Sequence, residues 1–334
     1  MRPALLVGLF IILACGGTSA AQAAEWRLQK VNAPARVMAV ETVKGQVRVN
    51  AGGLWYRLAL AGDRPALTFI DKPDKPEHPD GALPDGRVAT GTGDIARAWL
   101  ADPTTRYDHG ILGDKIEAGS LVIETRDGKR HLVKLKDDAV FEDLEPRLAD
   151  LNGDGHDEVV VVKSYLTRGS SLAVIAERKG RYEIVAETAP LGGPHRWLDP
   201  AGIADFNGDG KTDIALVRQP HVIGQLELWT WADKHLRKTA ELPDAANHIA
   251  GTRAIDMSVH ADFDGDGVTD LALPSLDRSR LRLIGFVPAA HEIASVALPA
   301  KAATNLALVA DKSGRPAIAL GLTDGSLVLA RRAP

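Results

Sequence analysis

Ala204-Asp205-Phe206-Asn207-Gly208-Asp209-Gly210-Lys211-Thr212-Asp213 decides the fold, because it is one of three copies. The others are Ala149-Asp150-Leu151-Asn152-Gly153-Asp154-Gly155-His156-Asp157-Glu158 and Ala261-Asp262-Phe263-Asp264-Gly265-Asp266-Gly267-Val268-Thr269-Asp270, and the three align without a gap. Each copy places oxygen-bearing side chains at positions 1, 3, 5 and 9 and glycine at 4 and 6, counted from the leading aspartate.

Working outward, each acidic loop runs into a β-type segment: Val159–Val162, Ile214–Val217 or Leu271–Leu273. In the first unit two further alternating segments follow, Ser171–Glu177 and Tyr182–Glu187, joined through Lys179-Gly180-Arg181 as a hairpin turn. With a short strand ending at each leading aspartate, every unit has four strands. The leading aspartates recur from 150 to 205 and from 205 to 262, a period too long for ankyrin or tetratricopeptide units and near the upper end for propeller blades. Four-stranded units repeated around an axis describe a β-propeller.

Fainter copies extend the pattern. Upstream, Asp94–Leu100, Lys115–Ile123 and His131–Leu135 form one unit, and Val37–Val43, Gln46–Val49, Leu54–Leu60 and Ala66–Ile70 another. Downstream, Leu306–Val309, Pro316–Leu320 and Leu327–Ala330 supply three strands, and Trp26–Val31 is expected to complete that last unit. The expectation is therefore an all-β propeller over 25–334 with six blades, seven being the alternative, closed by an N-terminal strand so that no sheet edge is left free. The Pro-rich stretch Asp71–Gly86 reads as a long loop between blades.

The loops 150–158, 205–213 and 262–270 have the donor set of calcium, which takes six to eight oxygen ligands. The side chains are Asp150, Asn152, Asp154 and Glu158; Asp205, Asn207, Asp209 and Asp213; and Asp262, Asp264, Asp266 and Asp270. Backbone carbonyls at position 7, from His156, Lys211 and Val268, would complete each shell, giving three ions in all. Hard oxygen donors without cysteine or histidine side chains argue against zinc and copper. An EF-hand needs glutamate at position 12, where this chain has Val161, Leu216 and Leu273 inside apolar strands.

These motifs resemble the FG-GAP or VCBS repeat family, the blades of integrin-α-type propellers. The resemblance is specific over Ala149–Leu273, where the loops fit D-x-[DN]-G-D-G-x-x-[DE]; around Glu41, Asp102 and Asp311–Pro316 the full ligand set is missing. It implies a calcium-stabilised interaction scaffold.

The bulk composition agrees with a folded chain: 334 residues, 45% hydrophobic and 25% charged, with a net charge of -4 that gives no sign of nucleic-acid binding. Met1-Arg2-Pro3, the apolar run Ala4–Ala14 and the small residues up to Ala24 have the parts of a secretory signal peptide, residues 1–24. Two processing readings compete: cleavage after Ala21-Gln22-Ala23, or a lipobox at Ile12-Leu13-Ala14-Cys15 that leaves Cys15 as a lipid anchor. The chain is expected to be exported, periplasmic or extracellular, with an outer-membrane lipoprotein as the second form. Cys15 is the single cysteine, so no intramolecular disulfide forms.

No G-x-S-x-G, H-E-x-x-H or Walker loop occurs, and the histidines read as dispersed surface or loop residues. A non-catalytic binding module is thus expected; the alternative is a polysaccharide- or phosphoester-cleaving enzyme with its site on the face opposite the loops. Alignment from the aspartates brings Lys163 and Arg218, and Arg196 and Arg253, to equivalent points on that face, with Trp197 beside them. Asp199 and Asp256 are expected to orient the two arginines. Such a face suits an acidic glycan, a peptide carboxylate or a phosphate, and the partner is expected to be a protein or an acidic glycan.

Overall fold

The computed structural model describes residues 25–62, 64–232, 235–310 and 314–333. The expected signal peptide, Cys15 and part of the 311–316 loop lie outside them. Every regular element of the described residues is a strand.

β1 (Trp26–Val31) is followed by a first four-stranded sheet, β2 (Val37–Val43), β3 (Gln46–Ala51), β4 (Leu54–Ala61) and β5 (Arg64–Ile70), in that spatial order. The chain then crosses the Pro-rich stretch. It next builds β6 (Ala89–Thr90), β7 (Ile95–Thr104), β8 (Glu117–Thr125), β9 (Arg130–Lys134), β10 (Ala139–Phe141), β11 (Arg147–Ala149), β12 (Glu158–Tyr165), β13 (Gly169–Arg178) and β14 (Arg181–Glu187). These nine form one sheet, in which β10 pairs with both β8 and β12 and so joins two four-stranded groups, β6 to β9 and β11 to β14. Two more sheets follow in simple order: β15 (Leu198–Ala204), β16 (Asp213–Arg218), β17 (Gln225–Ala232) and β18 (His235–Leu242), then β19 (Val259–Ala261), β20 (Asp270–Pro274), β21 (Arg280–Gly285) and β22 (His291–Ala297). The last, β23 (Ala302–Ala310), β24 (Pro316–Leu322) and β25 (Leu327–Arg332), takes β1 as its fourth strand, antiparallel to β25 with Trp26 opposite Arg332. Trp26–Val31 occupies the place read for it in the sequence.

Burial explains which strands lie inside. β12, β16 and β20 are apolar without alternation and almost wholly buried, the pattern of strands covered on both faces. Their outermost neighbours β18 and β22 are largely exposed. The largest apolar cluster runs through Val159–Val162 and Leu172–Ala176 and on to Ile214 and Leu216 of the next sheet, so neighbouring sheets share a core. Burying each such Val or Leu contributes roughly 1.5–3 kcal/mol before the entropy of ordering it is set against that gain. Within each sheet that carries an acidic loop, antiparallel pairing puts that loop at one end and the turn that leaves the second strand at the other, the opposite rim.

Candidate metal loops and the opposite rim

The three acidic loops are hairpin connections. Position 9 pairs with the residue before position 1 in each: Glu158 with Ala149, Asp213 with Ala204 and Asp270 with Ala261. Position 2 is the anchor, since Leu151, Phe206 and Phe263 are buried in the core, and Phe263 meets Trp26 edge to face at 5.6 Å. One hydrogen-bond scheme recurs. The leading aspartate accepts from both glycine amides: Asp150 from Gly153 at 2.7 Å and Gly155 at 2.9 Å, Asp205 from Gly208 at 2.8 Å and Gly210 at 2.9 Å, Asp262 from Gly265 at 2.6 Å and Gly267 at 3.0 Å. Position 3 accepts from the amide of position 5, which accepts from that of position 7, so His156, Lys211 and Val268 each donate their amide to Asp154, Asp209 and Asp266. The glycine at position 6 has φ of 86°, 82° and 90° in the three loops, a path open to glycine and strained for other residues.

This wrapping turns the carboxylates toward one another. In the third loop ligand oxygens of Asp262, Asp264 and Asp270 lie within 4.8 Å of one another and can hold a metal ion. In the first two loops position 3 is asparagine, whose Nδ2 donates to the ninth residue: Asn152 to Glu158 at 3.1 Å and Asn207 to Asp213 at 3.3 Å. Burial, with the neighbouring aspartates adding to it, pushes Glu158 and Asp270 up to about 7, and Asp213 upward. The loops thus disfavour their own ionised state. The donor chemistry fits a hard divalent cation: side-chain oxygens alone, converging, with extra negative charge.

The opposite rim is differently made. Of the five residues expected there, Lys163 is buried and bonds Glu187 at 2.7 Å and the Tyr165 hydroxyl at 2.8 Å. Trp197 is buried too, its Nε1 donating to the Glu142 carbonyl at 3.0 Å. Arg196 donates to the Leu191 carbonyl at 3.0 Å, and Arg253 pairs with Asp85 at 2.8 Å and Asp114 at 3.2 Å. Arg218 has no hydrogen bond or ion pair among the described residues, and its Nε is buried without a partner. The structure corrects the expected arginine partners. Asp256, in the segment before β19, pairs with Arg87 at 2.7 Å and lines a cavity of about 380 Å³, while Asp199, fully buried at the second position of β15, lies 3.8 Å from Arg147.

The sequence reading also missed a set of buried acids. Glu142, fully buried, binds His109 Nδ1 at 2.5 Å and accepts from the Ser164 hydroxyl. Burial, with the Glu142 charge adding to it, holds Glu117 well above the ordinary carboxylate range. Asp143 pairs with Arg147. Nor are the histidines all on the surface. His248 is buried and donates Nε2–H to the Thr252 carbonyl at 2.9 Å, leaving Nδ1 to accept from His221 at 3.0 Å. Burial lowers His248 to about 3 and His221 to about 4. No spacing rule marks these residues in the sequence; the only trace is the acidic run Glu142-Asp143-Leu144-Glu145 after an apolar strand.

Compared with known proteins, the chain carries FG-GAP-like repeats: that family matches residues 150–216 and again residues 205–273. Each match starts at the leading aspartate of one loop and ends in the strand after the next, so the two share the middle loop. No curated protein matches the chain.

Proposed function

We propose that this chain is an exported, calcium-stabilised six-bladed β-propeller that works as a non-catalytic binding scaffold. The observation that carries the metal assignment is the convergence of Asp262, Asp264 and Asp270 in a loop whose hydrogen-bond scheme recurs in the other two. Each loop takes one calcium ion: Asp150, Asn152, Asp154 and Glu158 serve the first, Asp205, Asn207, Asp209 and Asp213 the second, and Asp262, Asp264, Asp266 and Asp270 the third. A carbonyl at His156, Lys211 or Val268 completes each shell. Bound calcium supplies the positive charge these hairpins lack and ties the two strands of each together, in a chain whose single cysteine gives no disulfide to do so.

The blade count rests on six four-stranded groups, counting the nine-stranded sheet as two, and closure rests on β1 joining the last group. Export rests on the apolar Ala4–Ala14 run behind a basic start. A non-catalytic role is favoured by how the polar interior is used: Glu142, Asp143 and Lys163 are each committed to partners within the fold.

The test is calcium titration followed by thermal melting. Three ions per chain are expected, with dissociation constants of roughly 10⁻⁴–10⁻³ M, and a melting temperature that rises with calcium and falls with chelator. Asp154→Ala, Asp209→Ala and Asp266→Ala should each remove one ion. Unchanged melting at millimolar calcium would refute the assignment.

A further inference from the structure

Of the four cations expected on the rim opposite the acidic loops, one is left unused by the described fold. Arg253, Arg196 and Lys163 are each held by carboxylates, a hydroxyl or a carbonyl of this chain, whereas Arg218 is held by nothing among the described residues. Arg218 is half-buried and its guanidinium has no acceptor among the described residues, which leaves its outer donors to water or to a bound acceptor.

Arg218 lines a cavity of about 180 Å³ at the junction of two sheets. Strand register shows how the cavity is built. Arg218 lies opposite Leu198, Leu216 opposite Glu227, and Trp229 opposite Lys238, so these side chains share one face of the β15 to β18 sheet. The facing wall is Thr188–Leu191, the segment that leaves β14 of the preceding sheet. Glu227 is buried at the cavity wall and accepts the Trp229 indole N–H at 3.0 Å and Lys238 at 3.5 Å. Lys238 also bonds Glu241.

We propose that this cleft binds a carboxylate-bearing pyranose, a uronic acid unit of an acidic glycan, with its carboxylate on the Arg218 guanidinium. This rests on the binding-scaffold reading and names the ligand class for it. Three features select that chemistry together. The arginine fork matches a carboxylate with two parallel hydrogen bonds. The Trp229 indole is a flat apolar wall, suited to the C–H face of a sugar ring. Glu227 keeps lone pairs free beyond its two donors and accepts ring hydroxyls, while its charge opposes a doubly charged phosphate. The volume is below the roughly 300–1,000 Å³ of sites for drug-sized ligands, so it admits one ring rather than a run of sugars.

The test is calorimetric titration of the whole calcium-loaded protein with D-glucuronate, D-glucuronamide, D-glucose and an N-acetylated dipeptide with a free carboxylate. Glucuronate should bind at least about ten-fold more tightly than its amide or glucose, the difference that about 1.4 kcal/mol represents. Arg218→Gln should erase that preference and Arg218→Lys should fall between, with melting temperatures like the parent's. Equal binding of glucuronate and its amide, an Arg218→Gln protein that binds like the parent, or a dipeptide that outcompetes glucuronate at Arg218 would each overturn the proposal. Calcium-dependent melting, recorded on the same samples, separates the two readings. A protein stabilised by calcium but indifferent to glucuronate sinks the cleft alone; one indifferent to calcium that binds glucuronate through Arg218 sinks the calcium loops alone.

Discussion

Two groups of crowded carboxylates in this molecule are neutralised in different ways. Where the segments leading into β11, β15 and β19 meet, Asp143 and Asp199 flank Arg147, while Glu145 and Asp256 flank Arg87 at 3.6 Å and 2.7 Å. In the third acidic loop Asp262, Asp264 and Asp270 converge, and among the described residues backbone amides are what their carboxylates bond; Arg332 reaches the backbone carbonyl of Asp264. The four acids around Arg147 and Arg87 receive a cation that the chain itself supplies, permanently and at fixed stoichiometry. The acids of the third loop receive backbone amides, which orient them but bring no full positive charge. The first arrangement builds stability into the sequence, and the second leaves part of it to the solution.

Removing the interior cation should have the largest effect. Arg147→Met leaves Asp143 and Asp199 buried without a counter-charge, and breaking such a pair costs about 3–5 kcal/mol; urea unfolding with and without calcium should show the same loss in both. A loss that calcium repairs would mean the two regions are not independent. A smaller change sharpens the loop side. Asp264→Asn gives the third loop the donor set of the second, and its calcium affinity should fall, on the order of ten-fold, toward that loop's, as read by competition with a chelating dye. If all three sites were already equal in the parent, the extra carboxylate would carry no weight.

The smallest effect expected is on pH. Without calcium, Glu158 and Asp270 titrate near 7 when folded, above their ordinary values, so the folded state holds these protons more tightly than the unfolded one. Their contribution is present at low pH and is lost as pH rises through about 7. In chelator, these loops should therefore lose stability between pH 6 and 8, by roughly 1 kcal/mol or more per group. Calcium should cancel that slope and release protons on binding, which calorimetry in buffers of different ionisation enthalpy can count. Absence of proton release would place these carboxylates outside the coordination shell.

The same contrast explains what was legible in the sequence. The loops announce themselves because their geometry is local: nine consecutive residues, with glycines where the backbone turns left-handed, place all their side-chain oxygens. The strand assigned to Trp26–Val31 was legible through arithmetic, since the last unit lacked a strand. The interior pairs were not legible, since Arg87 meets Asp256 and Arg147 meets Asp199 only after distant strands assemble. Aligning Asp199 with Asp256 found two equivalent positions in the repeat, but equivalence says nothing of the partner. The same holds for Trp197. Its aromatic ring suggested an open face, yet Glu142 had already drawn its indole N–H inward.

One feature bears on the order of events in time. β1 pairs with β25 alone, so a ribosome delivers Leu327–Arg332 only after every residue between them and Trp26–Val31 has been made. At about 5–20 residues per second the interval is on the order of tens of seconds. Throughout it β1 has an unmatched row of backbone donors and acceptors, a standing invitation to foreign strands. Its exposed positions carry Arg27 and Lys30, while Trp26 and Val31 are buried in the finished fold. Those two charges guard the waiting strand, and their value is greatest before the molecule they belong to is complete.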